Sequence, residues 1–522
     1  MRKTQENLTR DVGKISSGTF LSRISGLVRD IFLTHFLGTT AIADSFGVAF
    51  VIPNMLRGLF GEGSLAAAFI PSYTEIKETR SKEEAIAFAV NLLSILILVL
   101  IGLVMLGILF SPYIIRIMAP GFAESVQELT TKLTRILFPY LFLIGLTSSI
   151  IAILNAHKIF FFPSLSPLML NLGIILPILV VSFITETDIV YRAYLFAGGV
   201  LLGGIFQLFV NIRMLKTIGY TFRFRINFKQ KELKSVWNRM IPGIIGLGIR
   251  EINVVVDTLL ASLLITGSVA ALQYGNRLMQ LPLGVFGIAI GTAVLPMFSR
   301  HTAHKRTDEL IQSVQESIQM IITIMLPIIA LILVIGKDAV SVVYLHGAFD
   351  QQALIMTYSA LAFYSIGLIS HSAVKIFASA FFALKNTKTP VIIAAIAVAC
   401  NIILNLILMR ILHLRGLALA TSIAATIQAT MLFITLQLKV GSISLKKISL
   451  TFLKVLILSI LIGYIAYVIN VLLNQLFILG KLFTALKLIV IFIVSLFIYI
   501  LGLKILKVTS FHKIIESFRK HS

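Results

Sequence analysis

Arg23, Arg29 and Arg57 fall in the first two long apolar stretches of the chain, and Arg277 falls in the eighth. Read at about 100° per residue, Ser16, Thr19, Ser22, Arg23, Ser25, Gly26, Arg29 and Asp30 cover one half of a helix. Phe20, Leu21, Ile24, Leu27, Val28, Ile31 and Phe32 cover the other. The next run, Ala41 to Tyr73, sets Asp44, Asn54, Arg57 and Glu62 among apolar residues and is broken by Pro53, Gly58, Gly61, Gly63 and Pro71. Each arginine at a helix centre costs about 2.5 to 3.5 kcal/mol on an insertion scale, so the first three would together cost about 8 to 10 kcal/mol facing lipid. They are expected to face water or an anion. A guanidinium stays charged and presents a planar fork that matches phosphate oxygens, which makes a phosphorylated or pyrophosphorylated ligand its natural guest. In the eighth stretch Gln273, Arg277, Gln280 and Gly284 recur at i, i+4, i+7 and i+11 on one helix stripe. The competing reading is internal ion pairing with Asp30, Asp44 and Glu62, against which stands the local excess of basic groups.

A second polar group is built around Asp257. Arg250, Asn253 and Asp257 share one stripe of the seventh stretch. Asp257 either pairs with an arginine or collects a cation with oxygens from Asn401, Asn405 and Thr421; oxygen ligands of low total charge suit a monovalent ion. An interhelical hydrogen-bond cluster explains the same residues without an ion. Soluble enzyme chemistry has little to stand on: the chain has no HExxH, GxSxG or P-loop pattern, and no catalytic residue is expected. His157, His346 and His371 sit near the ends of apolar runs, and Tyr220, Phe222 and Trp237 read as interfacial anchors. The glycines from Gly58 to Gly63 suit a flexible break in a membrane helix better than a phosphate loop. Cys400 is the only cysteine, so neither a disulfide framework nor a cysteine metal cluster forms within the chain.

Positioning such residues requires membrane helices. Of 522 residues 58% are hydrophobic and 13% charged, against roughly 25% charged in soluble domains. Runs of about 20 apolar residues cross the bilayer core, and backbone pairing within each segment makes helices the expected element. Fourteen spans are expected, at 15–37, 41–70, 85–110, 134–154, 163–184, 191–212, 240–265, 270–297, 313–335, 354–383, 389–412, 415–437, 449–474 and 481–506. The net charge of +23 follows the positive-inside rule rather than a nucleic-acid surface, because Lys and Arg crowd alternate loops. Both termini are therefore expected in the cytoplasm. No cleaved signal peptide is expected, since the first apolar run carries Arg23 and Arg29.

The first twelve spans divide six and six about the basic stretch Lys216 to Lys234, and three motifs recur across the halves. Ser111-Pro-Tyr to Pro120-Gly-Phe122 echoes Lys337 to Gly347-Ala-Phe349; Phe69-Ile-Pro71 echoes Val294-Leu-Pro296; Asn155-Ala-His-Lys158 with Asn171 echoes Asn386-Thr-Lys388 with Asn401. The similar offsets imply parallel repeats, an arrangement that supports rocking-bundle transport. The expected organisation is an N-lobe at 1–215, a cytoplasmic linker at 216–236, a C-lobe at 237–438, and two added helices with a cytoplasmic tail at 439–522.

Ser22-Arg-Ile-Ser-Gly-Leu-Val-Arg-Asp30, Pro53-Asn-Met-Leu-Arg57, Glu62-Gly63, Ala119-Pro-Gly-Phe122, and Gly267-Ser-Val269 followed by Asn276-Arg-Leu-Met279 resemble the MurJ (MviN) family of lipid II flippases. That family belongs to the multidrug/oligosaccharidyl-lipid/polysaccharide exporter superfamily, and the likeness runs from the first span to about the twelfth. It implies an all-α polytopic protein with two six-helix lobes in a V and two further helices lining a groove for a polyprenyl tail. It also implies residence in the bacterial inner membrane and transport of lipid II, the undecaprenyl-pyrophosphate-linked peptidoglycan precursor, by alternating access. By the resemblance Arg23, Arg29, Arg57 and Arg277 are the critical cavity arginines. Asp44 matches a sensitive acidic position, Glu62 lies in a family motif, and Ser268 matches a cavity-side serine. Some members bind sodium at positions matching Asp257, Asn401, Asn405, the carbonyl of Leu417, and Thr421; Asn405 stands where an acid is expected. No other cofactor is implied. The implied partners are lipid II, membrane lipids, and cell-wall synthesis and division proteins, with no nucleic acid. A cation-coupled multidrug exporter, an exporter of another polyprenyl-linked oligosaccharide and a non-transporting cell-wall scaffold remain the alternatives.

Overall fold

The computed structural model describes residues 21–61, 64–220, 223–476 and 480–508. Among them every regular element is a helix. In chain order these are α1 (21–37), α2 (Ala41–Gly61), α3 (Ser64–Thr79), α4 (Lys82–Met118), α5 (Glu124–Leu137), α6 (Pro139–Ala156), α7 (Phe161–Ser164), α8 (Ser166–Ile184), α9 (Ile189–Thr217) and α10 (Lys231–Ser262). They are followed by α11 (Ser268–Pro282), a π-helical turn (Leu283–Ile288), α12 (Ala289–Ala303), α13 (Thr307–Tyr344), α14 (Gln351–Ser365) and α15 (Leu368–Ala383). The last four are α16 (Lys388–Leu412), α17 (Leu414–Val440), α18 (Leu445–Leu476) and α19 (Lys481–Ile505).

Ten stretches of these helices are long and apolar enough to cross a membrane, or eleven when α14 and α15, bent by 44°, count as one broken span. The expected fourteen thus exceed the observed number by the spans at 15–37, 41–70 and 240–265. These are the stretches carrying Arg23, Arg29, Asp44, Arg57, Glu251 and Asp257, and parts of the first two, 15–20 and 62–63, lie outside the described residues.

Local sequence explains where helices begin and end. Ser81 caps α4 by accepting from the N–H of Glu84 at 3.1 Å, and Asp188 and Asp350 cap α9 and α14 in the same way; each satisfies a backbone donor that the first turn leaves unpaired. Four helix ends close alike. Two residues beyond α6, α12, α15 and α19, the lysines Lys158, Lys305, Lys385 and Lys507 adopt positive φ of 47° to 61°. The following N–H bonds back to the carbonyl five residues earlier in every case. Lysine replaces the usual glycine of this motif, and its charge suits the negative end of the helix dipole.

The chain separates into two compact units, Met1–Ala270 with Gly347–Phe349, and Ala271–His346 with Asp350–Ser522. The expected linker at 216–236 lies inside the first, and α10 belongs there too. In the first unit the backbones of α8 and α9 touch at Gly173 and Gly203, where a Cβ on either would strike the other helix; small residues permit this approach in membranes. Phe69, Tyr73 and Phe88 stack in the core beside α4. In the second, α13 packs along α18, with Ile335, Ala466 and Ile491 forming a small core.

Candidate functional site

The polar face of α1 is exposed at one end and fastened at the other. Arg23 is exposed, and among the described residues it makes no ion pair. Six positions on, Arg29 is largely enclosed and donates from Nε and Nη2 to Oδ1 of Asp30 at 3.1 and 2.9 Å, and from Nη1 to Oδ1 of Asn171 at 2.9 Å. Asn171, on α8, turns its amide back to Ser25 Oγ at 2.8 Å and to the Ser22 carbonyl. The internal-pairing reading therefore holds for Arg29, whose guanidinium is aimed by a carboxylate and an amide. Sequence reasoning noted Asn171 only as part of a repeat.

On α2, Arg57 is half-buried and its Nε donates to Asn54 Oδ1 at 3.0 Å, one turn back. Beside it Gly58 leaves room for a carboxylate: Oε1 of Glu251, on α10, lies 3.1 Å from where a Gly58 Cβ would stand. Glu251 was missed, although an acid within an apolar run is expensive for the same reason as an arginine. Glu62 and the side chain of Arg250 lie outside the described residues.

Asp44 has a structural task. Buried in the first turn of α2, it accepts from the N–H groups of Gly267 at 2.6 Å and Ala270 at 2.8 Å. It thereby supplies a charge-assisted cap to the start of α11, where the helix presents unpaired donors and partial positive charge. Gly267 has φ of +88° and sits against the Thr39 carbonyl, so glycine is required twice over. Ser268, expected to face a cavity, is fully buried and donates to the Ile265 carbonyl at 2.6 Å. Asp44 and Ser268 thus meet in one turn, with their polar atoms engaged inside the protein.

In the second unit Arg277 is half-buried on α11. Its stripe does not continue as expected: the π-helical turn opens at Leu283, directly after Pro282. Proline brings no N–H to the ladder, and π turns add a residue to the helix, so the regular α-helical spacing of the stripe stops short of Gly284, which lies inside the turn. Gly287 and Gly291 then press on Ser372 and Lys375 of α15, and Ser379 donates to the Gly291 carbonyl at 2.7 Å. Lys375 is an exposed cation within the expected tenth span and a second residue that sequence reasoning passed over.

The residues considered for sodium are divided. Asp257, in the first unit, accepts from Asn253 at 3.0 Å. Asn401, Asn405, Leu417 and Thr421 lie on α16 and α17 of the second, where Asn405 donates to Asn401 Oδ1 at 2.9 Å and Thr421 donates to the Leu417 carbonyl at 3.1 Å. Among the described residues no three His, Cys, Asp or Glu side chains gather as a metal site.

With these positions in place, the chain can be compared with known proteins. A sequence profile of the family described as lipid II flippase MurJ matches residues 33–508. The chain belongs to the MurJ family. A probable lipid II flippase MurJ of Buchnera aphidicola subsp. Schizaphis graminum is 34% identical over 458 residues, covering 87% of this chain and 88% of that protein. A solved lipid II flippase MurJ in an inward closed conformation superposes with a TM-score of 0.78 at 27% identity, over 94% of this chain and 99% of that one. An inward-facing multidrug resistance MATE transporter of the MOP superfamily aligns with a TM-score of 0.70 at 16% identity, over 80% and 94% of the two chains. That likeness shows a shared fold. The MurJ assignment identifies a multi-pass inner-membrane protein of a transporter family. Of the residues expected at the site, Arg23 is open, Arg29 and Arg57 are oriented by neighbours, and Asp44 and Ser268 build the turn before α11.

Proposed function

We propose that this protein carries lipid II from the cytoplasmic to the outer leaflet by alternating access, with Arg23, Arg29, Arg57 and Arg277 offering guanidinium groups to the pyrophosphate. Family membership names the cargo class, and the observation that carries the assignment of roles is α1. An exposed Arg23 stands on the same polar half of α1 as an Arg29 already fixed by Asp30 and Asn171. A pre-aimed fork spends little conformational freedom when it meets a phosphate, and the open arginine supplies charge that no acid among the described residues pairs with. In this proposal 1–215 and 237–438 are the moving lobes, 216–236 links them in the cytoplasm, and α18 and α19 hold the polyprenyl tail. Four lysine-closed helix ends support placing one side of the protein, with both termini, in the cytoplasm.

Sodium is a separate element of the proposal. A monovalent ion would take its charge from Asp257 and neutral oxygens from Asn401, Asn405, Leu417 and Thr421; the amide N–H of Asn405 and the hydroxyl of Thr421 donate within that set, and neither bond uses the lone pairs of the donor residue's own oxygen. The transport cycle proposed here does not depend on it.

Replacement of Arg29 by Ala in cells depleted of their own flippase should abolish growth and leave lipid II unlabelled at the outer surface while the protein still accumulates in the membrane. Arg29→Lys should rescue only in part, because the bidentate fork is lost. Normal growth with normal external labelling in Arg29→Ala removes the assignment.

A further inference from the structure

Between α9 and α10 the chain reads Arg223-Phe-Arg-Ile-Asn-Phe-Lys229, alternating basic or polar residues with apolar ones. All seven are exposed, and Phe224, Ile226 and Phe228 show 56%, 39% and 71% of their surface. Exposed aromatic residues in a loop without regular structure would be expected to drift, yet this strap is pinned. Asn91 of α4 accepts from the Asn227 N–H at 2.7 Å and donates to the Asn227 carbonyl at 3.0 Å and to Gln230 Oε1 at 2.6 Å. One turn on, Ser94 Oγ accepts from the Arg225 N–H at 3.1 Å. Both anchors are buried, so α4 devotes two enclosed polar side chains to holding a backbone whose own side chains stay outside.

The same helix gives the depth. Large exposed apolar side chains on α4 begin at Leu98 and end at Ile117, a distance of about 29 Å along the axis, which equals the roughly 30 Å thickness of a bilayer core. Ser94 lies one turn before Leu98, about 6 Å from the start of that exposed band. The strap runs from Arg225 at Ser94 to Gln230 at Asn91, which brings Phe224 and Ile226 near the end of the band. Around it Lys216, Lys231 and Lys234 add positive charge, and the single nearby acid in that stretch, Glu232, is engaged by Arg80 at 2.7 Å.

We propose that the strap Arg223–Lys229 is a binding site for anionic phospholipid of the leaflet on its side of the membrane, with Arg223, Arg225 and Lys229 holding headgroup phosphates and Phe224 and Ile226 seated at the acyl boundary. Basic residues beside a membrane surface attract anionic lipid, and aromatic side chains favour the interface. This site is independent of the cargo arginines.

The test uses the full chain in nanodiscs, with the sole tryptophan removed as Trp237→Phe and a reporter placed as Phe224→Trp. Brominated phosphatidylglycerol should quench the reporter more than brominated phosphatidylcholine at equal bromolipid fraction and low salt. Changing Arg223, Arg225 and Lys229 together to Gln should erase the difference, each cation accounting for up to about a fivefold local enrichment. Asn91→Ala, which releases the strap, should weaken quenching by both lipids. Absence of quenching by either lipid, or equal quenching by the two, overturns the proposal. So does loss of the preference on adding inorganic phosphate at constant ionic strength, which would assign the cations to a soluble anion.

Discussion

Two cations show two ways of living inside a membrane protein. Lys487, on α19, is 1% exposed and donates at 2.8 Å to both Asp338 Oδ2 of α13 and Asn474 Oδ1 of α18, so its charge is matched and three helices of the second unit are tied at one point. Arg29, on α1, is also paired, but its carboxylate comes from the adjacent residue and its helix still exposes Arg23. The first arrangement is closed: cation, anion and amide cancel. The second leaves Arg23 exposed on the same helix. Desolvation is costly in both places, and the difference lies in what offsets it, an internal acid at Lys487 and, by the function proposed, a visiting anion at α1.

The sharpest way to break this contrast is Asp338→Asn, which leaves a buried ammonium without its anion and should lower stability in detergent by about 3 to 5 kcal/mol. Lys487→Met should cost less, because the abandoned carboxylate can reach water, and the Lys487→Met/Asp338→Leu pair should recover much of the loss. If Asp338→Asn melts like the parent protein, the closed arrangement is wrong.

Asp44→Ala should come next, at about 3 kcal/mol, since two backbone donors lose a charged acceptor at the start of α11. Its signature is lost folding or abundance, whereas Arg29→Ala keeps abundance and loses transport. Asn171→Ala should cost about 1 kcal/mol and lower transport several-fold by loosening Arg29; unchanged transport would detach aim from function.

The smallest effect is expected at the exposed Arg80–Glu232 pair. The Glu232 carboxyl is held below its ordinary value first by its own backbone N–H and then by Arg80. Its contribution is present at neutral pH and fades as acidity rises through the depressed value. Glu232→Gln should leave the melting temperature nearly unchanged at pH 7, as surface pairs generally do.

Much of this was legible in the sequence. Uninterrupted apolar runs mark eleven spans, and family motifs mark the arginines. What escaped has a common cause. Asp44 and Gly267 are 223 positions apart, and nothing local in either segment announces the cap that joins them. Glu251, Lys375 and Lys487 could have been found by asking of every charge in an apolar run what was asked of Arg23 and Arg29. The Gln273–Gly284 stripe assumed an unbroken α-helix, and Pro282, visible in the sequence, was the warning that it would not be one.

That wide turn carries a mechanical consequence. A surplus residue in a helix amounts to about 100° of rotation and 1.5 Å of advance, so squeezing it out would force α12 to screw past α15. Gly287 and Gly291 are seated against Ser372 and Lys375 with no space to turn. The defect is keyed in place, and any flexing of the long helix that bears Arg277 must hinge there instead of travelling along it.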